Sequence, residues 1–169
     1  ELAARERMTQ TVIVPAMVKL CLLHPEFTRF DLSSWRLCGY GGAPMAEATI
    51  AALAQTLPRL GLHNIYGATE TTGPVTLLPR EHAATRPDST GFAVPGAEVV
   101  VMDDDGREVE PGASGELWIR GPMVVPGYWG NADGGNNDAT RNGFCAGYWR
   151  SGDIGSVDAE GFVRVFDRK

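Results

Sequence analysis

The stretch that decides the fold is residues 35–73, WRLCGYGGAPMAEATIAALAQTLPRLGLHNIYGATETTG, in which two apolar runs flank one amphipathic segment. The runs at Arg36–Cys38 and His63–Tyr66 predict strands, and the segment Pro44–Leu57 predicts a helix. The apolar residues of this helix repeat at helical spacing, and the pattern stops before Pro58, which cannot continue a helix. A strand, a helix and a second strand in this order predict parallel strands covered by a helix.

Outward from this stretch, the N-terminal part repeats the pattern and the C-terminal part abandons it. Val12–Val14 predicts a strand, and Pro15–Leu23 predicts a helix with proline at a first position that tolerates it. From Gly91 onward, short strands alternate with glycine- and proline-rich turns, and no helical period is convincing. The predicted fold class is α/β: a partial doubly wound parallel sheet followed by a small β-rich, barrel-like subdomain. We expect an α/β subdomain over residues 1–85 and the β-rich subdomain over residues 86–169.

The β-rich part carries its own strand and turn signals. Its strands are expected at Val99–Met102, Gly115–Arg120 and Phe162–Phe166. Asp105-Gly106 predicts a hairpin turn, and so does the segment Asp158–Gly161. The glycine- and asparagine-rich segment Gly130–Asn137 predicts a mobile surface loop.

Composition and charge exclude several classes of protein. The chain has 169 residues, 43% of them apolar and 21% charged, which is enough to bury a core without disulfides or metals. A net charge of −6 and a pI near 5.0 argue against a nucleic-acid partner, because such proteins need clustered Lys and Arg. Cys21, Cys38 and Cys145 fit neither a disulfide framework nor a metal-ligand pair, so we expect idle thiols.

The chain also lacks the sequence signals of membrane insertion and secretion. No apolar run reaches the roughly 18 to 20 residues that a membrane helix needs. The start of the chain, Glu1–Arg7, is charged and unlike a signal peptide. The protein is therefore predicted to be soluble and cytoplasmic, with no transmembrane segment.

Two loops should lie at the carboxyl ends of the parallel strands, where open α/β sheets bind ligands. The first is Gly39–Pro44, in which three glycines would let a flat ligand approach the backbone, and the amides of the next helix favour anions. It matches neither of the common glycine-rich phosphate motifs, so a structural turn remains an equal alternative. The second is Tyr66–Gly73, where Glu70 stands among three threonines with no basic neighbour. A carboxylate among hydroxyls suits Mg²⁺ shared with phosphate oxygens, and a capping glutamate with turn-forming threonines is the alternative.

A third candidate segment is Gly147–Asp153 in the β-rich part. Asp153 follows a glycine, and an aspartate accepts paired hydrogen bonds from vicinal hydroxyls such as those of a ribose. An ordinary turn aspartate is the alternative.

In their order and spacing, these segments resemble the adenylate-forming superfamily of acyl-CoA synthetases, peptide-synthetase adenylation domains and luciferases. The similar segments are Gly41-Gly42-Ala43-Pro44, Tyr66-Gly67-Ala68-Thr69-Glu70, Gly115–Gly121 with Pro126–Trp129, Gly147–Asp153 and Phe166–Lys169. They cover essentially the whole chain, which looks most like the C-terminal half of the large N-terminal domain of a fatty-acid–CoA ligase. The implied activity is that of an ATP-dependent acid–thiol ligase, which forms an acyl-adenylate and then transfers the acyl group to coenzyme A.

The resemblance also implies roles for individual residues. The nucleotide-binding residues would be Gly41, Gly42, Ala43, Pro44, Tyr66, Gly67, Asp153 and Arg168. Tyr66 would stack on adenine, while Asp153 and Arg168 would meet the ribose. Thr69 would touch the phosphate of the adenylate, and Glu70 would bind Mg²⁺, which makes these two the catalytic candidates. ATP, Mg²⁺, coenzyme A and a small carboxylic acid are the implied cofactors and partners.

The departures from the family pattern predict an incomplete enzyme. The family's lysine-containing phosphate loop is not found upstream of Gly41, and the chain stops at Lys169, about where the family's interdomain hinge begins. We therefore expect the chain alone to be inactive and to self-associate through an unpaired sheet edge. An amino-acid adenylation domain, a luciferase-like enzyme and a non-catalytic nucleotide-binding or structural module remain alternatives.

Overall fold

The computed structural model describes residues 1–129 and 138–169, so the predicted surface loop Gly130–Asn137 lies outside the described residues. The chain forms two compact units, the first made of Glu1–Ile65 and Leu78–Asp88, the second of Tyr66–Leu77 and Ser89–Lys169. The sequence predicts one boundary, between residues 85 and 86. In the structure the chain passes into the second unit after residue 88, and residues 66–77 also belong to that unit.

The first unit is built from parallel strands and helices, which confirms the predicted α/β class. Its elements are α1 (Leu2–Arg5), β1 (Gln10–Ile13), α2 (Pro15–Leu23), β2 (Leu37–Gly41), α3 (Glu47–Thr56) and β3 (Gly61–Ala68), whose last three residues belong to the second unit. β2 pairs in parallel with β1 on one side and with β3 on the other. α2 starts at Pro15 as predicted, and it ends before His24, which precedes a proline and adopts an extended backbone.

The core of the first unit lies between the strands and these helices. Cys38 and Tyr40 alternate along β2 and are fully buried, as a strand with one covered face requires. Leu53 of α3 packs against them, with Ile50 and Leu57 at the margin of the same cluster. These three residues are the apolar face that the helical spacing predicts.

Two of the predicted loops begin later than the sequence indicates, because their first residues continue a strand. β2 extends through Gly41, whose backbone pairs with Ile65, so Gly39–Gly41 are strand residues and the chain leaves the sheet at Gly42. A Cβ atom on Gly41 would lie 2.2 Å from the Ile65 carbonyl oxygen, which explains the glycine by close approach of two strands. Likewise, β3 continues through Ala68, two residues beyond the predicted strand end at Tyr66, and α3 begins at Glu47, three residues after the predicted start.

The second unit is dominated by an antiparallel sheet. Its further elements are β4 (Gly73–Leu77), β5 (Phe92–Ala93), β6 (Glu98–Met102), β7 (Gly115–Arg120), α4 (Asp138–Gly143), β8 (Phe144–Cys145), β9 (Tyr148–Val157) and β10 (Val163–Arg168). The main sheet has the order β10-β9-β7-β6, β8 adds to β9, and β4 pairs with β5. Among the described residues this sheet stays open, so the subdomain is β-rich without a closed barrel. The short helix α4 was not predicted.

Local turn chemistry and burial account for the framework of this unit. Asp158 Oδ1 accepts the backbone N–H groups of Glu160 and Phe162, and Gly161 has a φ of 87°, so the predicted hairpin between β9 and β10 is confirmed. Leu117 and Ile119 of β7 are fully buried beneath the sheet. No helix in the described part of the chain is long and apolar enough to span a membrane.

Candidate functional site

An irregularity in the sheet of the second unit determines where Asp153 lies. β7 and β9 pair with Glu116 opposite Ile154 and Trp118 opposite Arg150. Leu117 alone therefore faces the three residues Ser151–Asp153, which form a β-bulge. Bulges redirect side chains and are common beside active sites. Asp153 thus leaves the regular alternation of β9.

Hydrogen bonds from neighbouring side chains hold the bulge. The buried Ser151 hydroxyl donates to the Leu117 carbonyl oxygen (2.7 Å) and accepts the N–H of Asp153 (2.9 Å). Gly152 adopts a φ of 72°, a conformation that favours glycine, and its N–H donates to Oε1 of Glu116 at 3.1 Å. The backbone on both sides of Asp153 is therefore fixed by side chains of this unit.

Tyr66 and Asp153 are brought together although 87 residues separate them in the chain. The Tyr66 hydroxyl donates to Oδ2 of Asp153 at 2.6 Å. The Tyr66 ring packs against both apolar clusters of the second unit, and burial, together with the bond to Asp153, raises the pKa of Tyr66 well above its ordinary value. Tyr66 therefore remains a neutral donor that orients the aspartate.

Arg168 lies on the other side of the same carboxylate. Its Nε is 3.9 Å from Oδ1 of Asp153, whose side chain is 14% exposed, whereas the Arg168 side chain is 75% exposed. The contact follows from strand pairing, because Arg168 of β10 lies opposite Asp153 of β9, just beyond a second register shift. An exposed guanidinium beside a mostly buried carboxylate forms a polar edge open to a ligand.

Glu70 lies in a separate turn that follows β3. Thr69–Thr71 form one turn of 3-10 helix, and the buried Thr71 hydroxyl accepts the N–H of Ala68 at 2.9 Å and contacts the Gly73 carbonyl oxygen at 2.7 Å. The Thr71 side chain thus stabilises the turn by bonding to nearby backbone groups, as threonine often does in turns. Glu70 is half-buried and Thr69 is exposed on the same turn.

The segment 123–128 is tied to this turn from outside. The Tyr128 hydroxyl donates to Oε1 of Glu70 at 2.7 Å, and the N–H of Val125 donates to the Glu70 carbonyl oxygen at 2.8 Å. The Thr72 hydroxyl donates to the Met123 carbonyl oxygen at 3.0 Å. Desolvation and the bond to Glu70 raise the pKa of Tyr128, which keeps the hydroxyl a donor to the carboxylate.

The donor set around Glu70 limits what kind of metal it could hold. Within residues 1–129 and 138–169, no group of three or more His, Cys, Asp or Glu side chains could hold a metal ion. Glu70 offers one carboxylate whose recorded side-chain partner is the neutral hydroxyl of Tyr128. Such a site fits Mg²⁺ that takes most of its ligands from water and substrate phosphates.

The remaining predicted residues are placed as follows. Gly42 has a φ of 75° at the end of β2 in the first unit, and Gly42, Ala43 and Pro44 are exposed there. A Cβ atom on Gly67 would lie 2.3 Å from the Gly73 carbonyl oxygen, so Gly67 is required by close backbone packing. The nucleotide-binding roles of these residues stay predictions.

Three residues that shape the site were not predicted to do so. Glu116 and Tyr128 lie in the segments Gly115–Gly121 and Pro126–Trp129, which contribute to the family resemblance only as motifs. Ser151 lies in the segment Gly147–Asp153, where the sequence singles out only Asp153. The hydrogen bonds from Ser151 to Leu117, from Gly152 to Glu116 and from Tyr128 to Glu70 each span 34 residues or more, so no periodicity could reveal them.

Comparison with known proteins identifies the family to which the chain belongs. Residues 1–129 match the model of the family described as AMP-binding enzyme, and the chain belongs to that family. It is 38% identical to a long-chain-fatty-acid–CoA ligase of Yersinia pestis, over 98% of this chain and 28% of that protein. It is 34% identical to an indoleacetate–CoA ligase of Aromatoleum aromaticum, over 98% of this chain and 31% of that protein.

The fold agrees with solved structures of the same kind. The chain superimposes on the inhibitor-bound N-terminal domain of FACL13 from Mycobacterium tuberculosis with a TM-score of 0.87 and 35% identity. The match covers 99% of this chain and 40% of that one. The chain therefore spans about a third of the length of the curated relatives that it matches.

Proposed function

We propose that this chain is part of an ATP-dependent acid–thiol ligase of the acyl-CoA synthetase type. In the proposed reaction a carboxylate attacks the α-phosphate of ATP to give an acyl-adenylate and pyrophosphate, and the thiol of coenzyme A then displaces AMP. Membership of the AMP-binding family and the CoA ligases among its relatives support this activity. The observation that carries it is the Tyr66–Asp153 pair on the bulge of β9.

The pair supports a site for the adenosine part of the nucleotide. A carboxylate can accept hydrogen bonds from both ribose hydroxyls, and Asp153 keeps its orientation because Tyr66 and the bulge restrain it. Arg168 lies on the exposed side of the carboxylate, where it can reach a ribose oxygen. The Tyr66 ring supplies an aromatic face for adenine, and we propose that the base also lies against the exposed backbone at Gly67.

The turn at Glu70 supports a site for the phosphates. We propose that Glu70 binds Mg²⁺, that the Tyr128 hydroxyl orients its carboxylate, and that the exposed Thr69 hydroxyl donates to the adenylate phosphate. Bound there, Mg²⁺ would offset the negative charge that develops on the phosphate when the carboxylate attacks. Fixed donors on a rigid turn contribute because they need no reorganisation during the reaction.

The acyl group and the cellular setting are further parts of the proposal. We propose that Gly41, Gly42, Ala43 and Pro44 of the first unit contribute to binding the nucleotide and the acyl group, and that the exposed position of Gly42 helps a ligand to approach the backbone. The relatives are named for acids as different as long-chain fatty acids and indoleacetate, so the acid itself stays open within carboxylic acids. We place the enzyme in the cytoplasm and, from its similarity to fatty-acid–CoA ligases, in fatty-acid metabolism.

We further propose that the 169-residue chain does not catalyse the reaction by itself. It spans 28% and 31% of the two curated relatives and 40% of the solved N-terminal domain, so a large share of each relative has no counterpart in this sequence. The test is pyrophosphate release by the purified chain with ATP, Mg²⁺ and a panel of fatty and aromatic acids. Release at the background rate is expected, and robust turnover would show that the chain is a complete enzyme.

Self-association is the remaining part of the proposal. β1 pairs with β2 and lies at the edge of its sheet, and the neighbouring helix α2 exposes Met17, Leu20 and Leu23 by 54%, 68% and 69%. Unpaired edges and apolar helix faces promote association. Sedimentation at increasing concentration is expected to reveal oligomers, and replacing both leucines by glutamate should return the chain to a monomer. A monomer at all concentrations would refute association.

The proposed function is tested by nucleotide binding, which does not require the complete enzyme. Titration calorimetry with AMP should detect weak binding by the chain and its loss in Asp153→Ala. Binding that survives this substitution would remove the ribose role of Asp153. No binding at millimolar AMP would leave the chain a structural piece.

A further inference from the structure

The bulge of β9 rests on a buried carboxylate that has no part in the proposed nucleotide contacts. The side chain of Glu116, on β7, is only 8% exposed. A carboxylate is costly to bury unless it is hydrogen-bonded and balanced by positive charge. Its neighbours are the N–H of Gly152 at 3.1 Å, the Arg150 guanidinium at 3.6 Å and the Lys169 ammonium at 3.8 Å. Gly152 lies in the bulge, Arg150 precedes it on β9, and Lys169 directly follows β10.

Gly152 is the point through which Glu116 can act on the site. Its N–H is bound by Glu116, and its carbonyl oxygen accepts the N–H of Lys169 at 2.7 Å. Both backbone polar groups of Gly152 are therefore engaged, and Ser151 accepts the N–H of Asp153. Gly152 adopts the left-handed conformation that turns the chain towards Asp153. Without the hydrogen bond to Glu116, the Gly152 N–H would no longer be held and this backbone conformation could change.

We propose that Glu116 is a positioning residue that sets the direction of the Asp153 carboxylate by holding the Gly152 amide. This inference rests on the proposed ribose role of Asp153. Glu116 itself touches no nucleotide, so its effect passes only through the bulge. Its removal should therefore weaken contacts to the ribose hydroxyls and leave the rest of the nucleotide site unaffected.

The experiment compares two nucleotides on four variants of the 169-residue chain. Titration calorimetry measures the affinities for AMP and for 2′,3′-dideoxy-AMP, which lacks both hydroxyls. The variants are Glu116→Ala, Glu116→Gln, Asp153→Ala and Asp158→Ala. Asp158 is the matched control, because its carboxylate also accepts backbone N–H groups in a turn of the same sheet and is paired with Arg164. Thermal unfolding of each variant shows how much its stability changes.

The expected result separates positioning from stability. Glu116→Ala should weaken AMP binding about tenfold, the size of losing one hydrogen bond to a charged group, and should leave the affinity for dideoxy-AMP unchanged. Glu116→Gln should restore most of the AMP affinity, since its amide oxygen can still accept the Gly152 N–H. Asp158→Ala should lower the melting temperature without changing the affinity for either nucleotide.

Other outcomes overturn the inference in distinguishable ways. If Asp153→Ala abolishes AMP binding while Glu116→Ala binds AMP as tightly as the unchanged chain, Glu116 has no positioning role and the proposed function stands. If Glu116→Ala weakens both nucleotides equally, its role is structural. If AMP does not bind, or binding is insensitive to Asp153→Ala, the proposed function fails and the inference fails with it.

Discussion

Asp153 and Glu70 are the two acids proposed to meet the nucleotide, and the second unit holds them in different ways. Asp153 lies on a bulge inside a sheet, is 14% exposed, and is restrained by Tyr66 and by bonds to its own backbone. Glu70 lies on a single turn of 3-10 helix, and its carboxylate accepts a hydrogen bond from the exposed Tyr128. The contrast suits their tasks, because a ribose needs a rigid acceptor whereas a metal ion itself organises its ligands.

The largest expected effect is at Asp153. Asp153→Ala should weaken AMP binding on the order of 100-fold, because it removes hydrogen bonds from two hydroxyls to one charged acceptor. Calorimetry with and without Mg²⁺ should give the same loss, since the carboxylate acts on the ribose. A loss that appears only with Mg²⁺ would reverse the assignments of the two acids.

Glu70 should show the opposite metal dependence. Glu70→Gln keeps the size of the side chain and removes its charge, so we expect binding of Mn²⁺ in the presence of an ATP analogue to weaken about 30-fold, as for loss of a charged partner. Electron paramagnetic resonance of Mn²⁺ measures this directly. AMP affinity without metal should be unchanged, and equal Mn²⁺ affinity in Glu70→Gln would exclude Glu70 as a metal ligand.

Tyr128 sharpens the comparison because the unit contains a second pair of the same kind. Tyr128→Phe should weaken Mn²⁺ binding with the ATP analogue about tenfold, as expected for an outer partner that orients a metal-binding carboxylate. Tyr148→Phe is the control, because it also removes one hydroxyl that donates to a glutamate, in this case Glu98. Equal Mn²⁺ affinities in the two variants would mean that Tyr128 does not orient Glu70.

The smallest effect is expected at Tyr66. Tyr66→Phe keeps the ring and removes one hydrogen bond to Asp153, so AMP binding should weaken about fivefold, the cost of one such bond. The bulge still holds the aspartate, which limits the loss. An effect as large as that of Asp153→Ala would show that Tyr66, and not the sheet, is the main restraint on this acid.

Features with a local cause could be predicted from the sequence. α2 starts at Pro15, β7 has the predicted bounds, and the Asp158–Gly161 hairpin forms, because proline, a short apolar run and a turn-forming aspartate act within a few residues. The sequence predicts a loop from Gly39 onward, between a strand ending at Cys38 and the following helix, whereas the strand continues through Gly41. Here Gly41 lets β2 approach Ile65 closely, a reason that only the paired strand supplies.

The candidate site was predictable in its residues but not in its geometry. Tyr66 and Glu70 stand out as chemical groups near the end of a predicted strand, Asp153 stands out as an acid after a glycine, and the family resemblance implies their roles. The bulge depends on how β7 and β9 pair, so neither its existence nor the supporting role of Glu116 and Ser151 has a local signal. The bond from Tyr128 to Glu70 likewise joins residues 58 positions apart.

The most direct test of the central claim is a crystal structure of the chain with AMP. The account predicts the two ribose hydroxyls at about 2.6–3.0 Å from the Asp153 carboxylate oxygens, with adenine against the ring of Tyr66. AMP bound with its ribose away from Asp153, or with this carboxylate facing only protein groups, would contradict it.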